Sequence, residues 1–183
     1  LEMAFLLNNQ DLKTSHPGVP VILHHQSILS NAYVSWAPAR MEFYMIPPRN
    51  AYPEDWFLQL ALHEGRHFLQ MSSLRQGIGK PLSLLFGQQY TGLMTGLFLP
   101  RWFLEGDAVY AETFHGKSGR GSQASFSAEL LCQLSEFGIP SYDKAVLGSY
   151  ACFIPDAYVL GYHLVSYGRE MYGPEFWPLV LRK

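Results

Sequence analysis

The sequence predicts an α+β domain, in which a small N-terminal β-sheet packs on one long helix and the C-terminal half is mostly helical. Three observations point there. Short β-branched runs separated by turn residues fill the chain before Pro47-Pro48. From Pro53 the apolar residues recur instead at three- and four-residue intervals. Beyond residue 100, further stretches keep the helical spacing between glycine- and proline-rich breaks. The 183 residues suit a single domain. Its expected parts are 1–73, the sheet and the first helix, and 74–183, the helical half.

Val19–His25 reads as the first strand, Ala32–Trp36 as the second and Arg40–Ile46 as the third, with Ser30-Asn31 and Ala37-Pro38 supplying turns. In the third, Met41, Phe43 and Met45 share one face, and Glu42 and Tyr44 the other. The first helix is expected from Pro53, a residue suited to an opening helical position, with Glu54 and Asp55 beside the positive end of the dipole. Trp56, Leu60, His63 and His67 then recur through to Met71. A loop-rich region follows. Its apolar run Leu82–Leu99 is broken by Gln88, Gln89, Thr91, Thr95 and glycines, and reads as a buried hairpin or lid rather than a membrane span. Helices are expected at Pro100–Phe114, Ser125–Phe137 and Asp156–Tyr172, the last closed by Gly173-Pro174. His115–Ser122 is loop. The chain opens Leu1-Glu2-Met3 and stops within a helical pattern, so it reads as a segment of a longer protein with other domains.

Composition narrows the function. Aromatic residues are 15% and charged residues 15%, which excludes intrinsic disorder. Thirteen Lys+Arg against 15 Asp+Glu, with no basic run, leave no electrostatic footprint for nucleic acid or an anionic membrane. Cys132 and Cys152 make no disulfide framework and read as small apolar residues.

The motif that carries chemistry is His63-Glu64-Gly65-Arg66-His67. Residues i and i+4 share a helical face, so both imidazoles can reach one ion, with Glu64 placed to take a proton from a metal-activated water. The competing reading is an amphipathic helix whose two histidines are ordinary polar residues. A catalytic zinc site needs a third protein ligand and one open position. Glu105, among apolar neighbours early in the second helix, is the candidate, since a carboxylate there is costly unless paired or metal-bound. Glu112, seven residues on and on the same face, is either an acceptor for a ligating imidazole or a solvated charge. Asp107 points elsewhere and reads as structural, while Ala108 and Ala111 allow close helix packing.

The pair H-E-x-x-H and Trp102-x-x-Glu105-Gly-x-Ala-x-Tyr-x-Glu112 resembles the gluzincin metallopeptidases, and most nearly bacterial peptidase-MA-like domains of exported proteins. Asn31-Ala-Tyr-Val, Pro100-Arg-Trp-Phe, Gly119-Arg-Gly and Ala157-Tyr-Val-Leu-Gly-Tyr162 extend the likeness from about residue 19 to the end. The resemblance implies a zincin-like fold with one zinc ion held by His63, His67 and Glu105, and Glu64 as general base. It further implies a peptide or protein substrate and an exported location. Tyr158-Val-Leu-Gly161 resembles the segment that gives gluzincin aminopeptidases an active-site tyrosine, which makes Tyr158 the candidate oxyanion donor and Tyr162 the fallback. The strand Arg40–Ile46 is expected at the sheet edge, where an extended peptide would pair with it. Two features depart from the aminopeptidases: a longer spacing between His67 and Glu105, and no G-x-M-E-N motif. Their exopeptidase substrate class therefore does not carry over.

Other candidates fail. Gly116-Lys-Ser118 lacks the upstream glycine of a phosphate loop, because position 111 is alanine. His24 and His25 alternate across a strand, His115 and His163 are isolated, and Arg120 reads as a solvated turn residue or a brace for the site. The alternatives to a peptidase are a non-catalytic zincin-fold binding module and zinc-dependent hydrolysis of another bond.

Overall fold

The computed structural model describes residues 1–14, 18–49, 55–77, 79–116 and 118–182. Its elements are α1 (Glu2–Leu12), β1 (Val21–His24), β2 (Ala32–Trp36), β3 (Ala39–Tyr44), α2 (Trp56–Ser73), α3 (Gly79–Phe98), α4 (Arg101–His115), a 3-10 turn at Arg120–Ser122, α5 (Ala124–Phe137), α6 (Tyr142–Leu147), α7 (Ala157–Tyr172) and α8 (Phe176–Arg182). A small mixed sheet thus packs against helices and leads into a mostly helical C-terminal half, the α+β zincin-like arrangement.

The strand order is β1-β3-β2, with β1 parallel and β2 antiparallel to β3. This corrects the edge assignment. The third strand is central, and Met41, Glu42 and Phe43 are buried on both its faces. The edge strands are β1 and β2. Met41 and Phe43 join Ala32 and Leu60 in the sheet–helix core. On the opposite face Glu42 is enclosed by His24 at 2.7 Å and Arg40 at 2.6 Å, and His24 stacks on Tyr44.

Asp55 caps α2, its carboxylate accepting from the backbone N–H of Phe57 (2.8 Å) and Leu58 (3.1 Å). The expected contributions of Pro53 and Glu54 lie outside the described residues. α1 was not anticipated, because the N-terminal half read as β throughout. Its inward stripe, Ala4, Asn8 and Leu12, includes one small and one polar residue and leaves little amphipathic signal. Asn8 donates to the Leu62 carbonyl at 2.9 Å, and its amide lies against Gly65, so α1 rests directly on the motif helix.

α4 and α7 cross with backbones nearly touching. A methyl group on Gly106 would fall on Gly161, and one on Gly161 would fall on the Trp102 carbonyl. Leu12, Trp36, Phe68, Phe103, Val165 and Leu181 close a core shared by α1, β2, α2, α4, α7 and α8.

The run Leu82–Leu99, expected as a buried hairpin, is helical and faces outward. Pro81 sits in the first turn of α3, where it costs no hydrogen bond, and Gly92 and Gly96 stay helical. Only Gly87, at φ 65° and ψ −154°, breaks the helix. No helix among the described residues is long and apolar enough to cross a membrane.

Candidate metal centre

α2 presents His63 and His67 one turn apart, and α4 brings Glu105 across to them. His63 Nε2 and His67 Nε2 are 3.2 Å apart, and Glu105 Oε2 lies 3.5 Å from the first and 3.4 Å from the second. A tetrahedral ion with bonds of about 2.0–2.1 Å has edges of about 3.3–3.4 Å between its ligand atoms. The observed triangle has those edges, and these residues form a coordination-competent group.

The outer imidazole nitrogens fix which atoms face the centre. His63 Nδ1 is 3.0 Å from Glu112 Oε2, and His67 Nδ1 is 3.1 Å from Gln70 Oε1. Each acceptor draws the ring proton to Nδ1 and leaves an Nε2 lone pair pointing inward. Glu105 Oε2 is buried and has no hydrogen-bond partner among the described residues. Two ring nitrogens and a carboxylate oxygen therefore converge, an arrangement that a cation satisfies and that a proton on the imidazole holds together in its absence.

The electrostatics agree. Burial disfavours a charged His63, but Glu105 and Glu112 outweigh it and lift the imidazole to about 9. Burial likewise pushes Glu105 up, and the two imidazoles overcome it, holding the carboxyl well below the usual range. Glu112, fully buried, is held at about 2 by His63 and Arg120 despite its desolvation.

Glu112 is therefore no solvated charge. Arg120, on the 3-10 turn, grips it through Nε at 2.6 Å and Nη2 at 3.0 Å. Of the two readings of Arg120, the solvated turn residue gives way to the brace for the site. The turn can approach because Gly119 lies against the Thr113 backbone and Gly121 against the Tyr162 ring, where a Cβ would collide. Tyr162 is committed to that contact and to Phe126.

Tyr158 stands on the other side, its ring roughly parallel to His63 with centroids 6.1 Å apart and the Arg120 guanidinium 5.2 Å above it. Burial and the Glu105 carboxylate push its phenol up to about 12. Glu64, Tyr158 and the three candidate ligands all line a cleft of about 600 Å³, walled by Asn31–Val34 of the β2 edge and by Trp56, Leu60 and Met71.

Behind His67 lies a buried network that sequence reasoning missed. Gln70 also donates to Asp107 Oδ2 at 2.8 Å. Arg66, inside the motif and fully buried, clamps Asp107 through Nε (2.7 Å) and Nη2 (2.8 Å) and reaches Asp11 at 2.6 Å. Arg169 of α7 holds Asp11 through two bonds, of 2.8 and 2.7 Å. An arginine amid the apolar positions of α2, and an aspartate two residues after Glu105, were the available signals.

No described family, curated protein or solved structure matches the chain. The assignment rests on the fold and the site. An H-E-x-x-H helix joined by a glutamate from a later core helix, beside a small N-terminal sheet, is the gluzincin zinc-binding arrangement. It is a metal-binding triad of the kind that zinc metallopeptidases carry.

Proposed function

We propose that the domain hydrolyses peptide bonds with one zinc ion held by His63, His67 and Glu105, and with Glu64 as general base. The observation that carries this reading is the inward triangle of Nε2, Nε2 and Oε2. Zinc bound there would supply Lewis acidity to a substrate carbonyl and to the attacking water. Glu64, on the cleft side of the same helix, takes the proton the water gives up and returns it to the leaving amine. The Tyr158 hydroxyl stays protonated at neutral pH, since burial and Glu105 hold its pKa near 12. It donates to the carbonyl oxygen as negative charge develops. Glu112 and Gln70 keep both rings in register, and Arg120 keeps Glu112 in place.

An extended substrate pairs with the edge of β2, which borders the cleft, rather than with the central β3. The exported setting implied by the family resemblance belongs to the same proposal.

The test compares wild type with Glu64→Gln on a mixed peptide library, after metal analysis. Wild type should carry one zinc per chain and cleave, and the variant should keep its zinc and lose cleavage. Absence of stoichiometric zinc would sink the site. Zinc without cleavage by either protein would leave a binding module.

A further inference from the structure

We propose that the outward face of α3 is a lipid-contacting surface that seats the domain on one leaflet of a membrane. This goes beyond the peptidase reading and does not depend on it.

The burial pattern of α3 is inverted. Its buried residues are Ser83, Thr91 and Thr95, while Leu84 (81% exposed), Leu85 (75%), Leu97 (66%) and Phe98 (69%) point away from the protein, with Phe86 and Leu93 beside them. A helix docked on a soluble core does the reverse. Two of the inward hydroxyls are satisfied within the helix itself: Ser83 Oγ donates to the Lys80 carbonyl and Thr95 Oγ1 to the Thr91 carbonyl, both at 2.8 Å. Small residues inward and long apolar ones outward is how a helix is arranged when its outer face meets hydrocarbon.

The charge pattern selects lipid over protein. Residues 81–100 carry no charged side chain, and 65–104 carry no carboxylate, in a chain whose formal charge is −2. Here the flanking charges are Arg75, Lys80 and Arg101, cations suited to a phosphate headgroup layer. The break at Gly87 divides the segment into two short helices, which fits adsorption rather than a span. None of these residues lines the metal cleft.

The experiment sediments the whole chain with phosphatidylcholine vesicles, and with vesicles that also contain phosphatidylglycerol. Wild type should partition onto both. Leu84→Asp/Leu97→Asp should lose about tenfold or more of that partitioning, with unchanged far-UV circular dichroism and zinc content. As a second readout, Phe86→Trp and Phe98→Trp should each show blue-shifted emission on lipid addition and quenching by brominated lipid. Three outcomes would overturn the proposal: no partitioning at millimolar lipid, equal partitioning by the double variant, or a dimer that the double variant dissolves in a protein indifferent to vesicles.

Discussion

Glu112 and Gln70 each hold the outer nitrogen of one candidate zinc ligand, so each sets the direction of one lone pair. Exchanging Glu112 for Gln, or Gln70 for Leu, should weaken zinc binding about 10- to 100-fold in chelator competition while both ligands remain. Affinity at the wild-type level would remove the orienting role. Tyr158→Phe should lower kcat about 100-fold and leave KM nearly unchanged, because the hydrogen bond it deletes strengthens only as charge develops. His63 adds a proton to the binding reaction. With its pKa lifted to about 9 by Glu105 and Glu112, it is charged at pH 7 and must lose that proton to ligate. Zinc binding at pH 7 should therefore release about one proton from this group, visible as a buffer-dependent heat in calorimetry, and affinity should climb until about pH 9. The triangle itself was legible in the sequence, because i and i+4 spacing puts two rings together and Glu105 is an expensive carboxylate. Asp11 and Arg169 were not legible. They are 158 residues apart, and neither lies in a local pattern that names its partner.

At the scale of elements, the crossing of α4 and α7 decides whether Glu105 and Tyr158 face the same cleft. Gly106 and Gly161 permit it by letting backbone touch backbone. Gly161→Ala should destabilise the fold by about 3 kcal/mol or more, since rigid backbone rather than a flexible side chain blocks the new methyl. Urea denaturation measures this, and a midpoint at the wild-type value would show that the helices separate freely. Helical periodicity revealed α2, α4, α5 and α7, all of which follow apolar spacing closely. It failed on α1, whose inward stripe contains Asn8, and on α3, whose inward stripe is hydroxyl-bearing. Strand positions were legible but their order was not. Arg40–Ile46 was expected at the sheet edge, whereas the parallel pairing of Val21 with Met41 inserts β3 between its neighbours. Glu42 shares its strand face with Tyr44, as alternation predicts, and is enclosed there by His24 and Arg40.

The whole molecule is bound through charges it has buried. Burial raises the Asp11 pKa, but Arg169 and Arg66 more than reverse that and hold it near 2, against 3.8 for an unperturbed carboxyl. Glu112 is likewise near 2, against 4.5. Both folded values lie below the unfolded ones, so their stabilisation is complete above about pH 4.5 and is lost as pH falls through 2. For Asp11 it amounts to roughly 2 kcal/mol. The urea midpoint of zinc-free protein should hold between about pH 5 and 6, decline above pH 6.5 as His63 loses its linked stabilisation, and drop steeply below pH 4, and Asp11→Asn should flatten the acid-side drop. Removing Asp107 should cost about 3–5 kcal/mol, because Arg66 would be left buried with one partner fewer. The same network ties the metal centre to elements distant from it in sequence. His67 leans on Gln70, Gln70 and Arg66 both hold Asp107, and Arg66 shares Asp11 with Arg169 of α7. A truncation ending after α4 would display every candidate ligand yet lack Arg169 and Tyr158, and should grip zinc less tightly than residues 1–183 do.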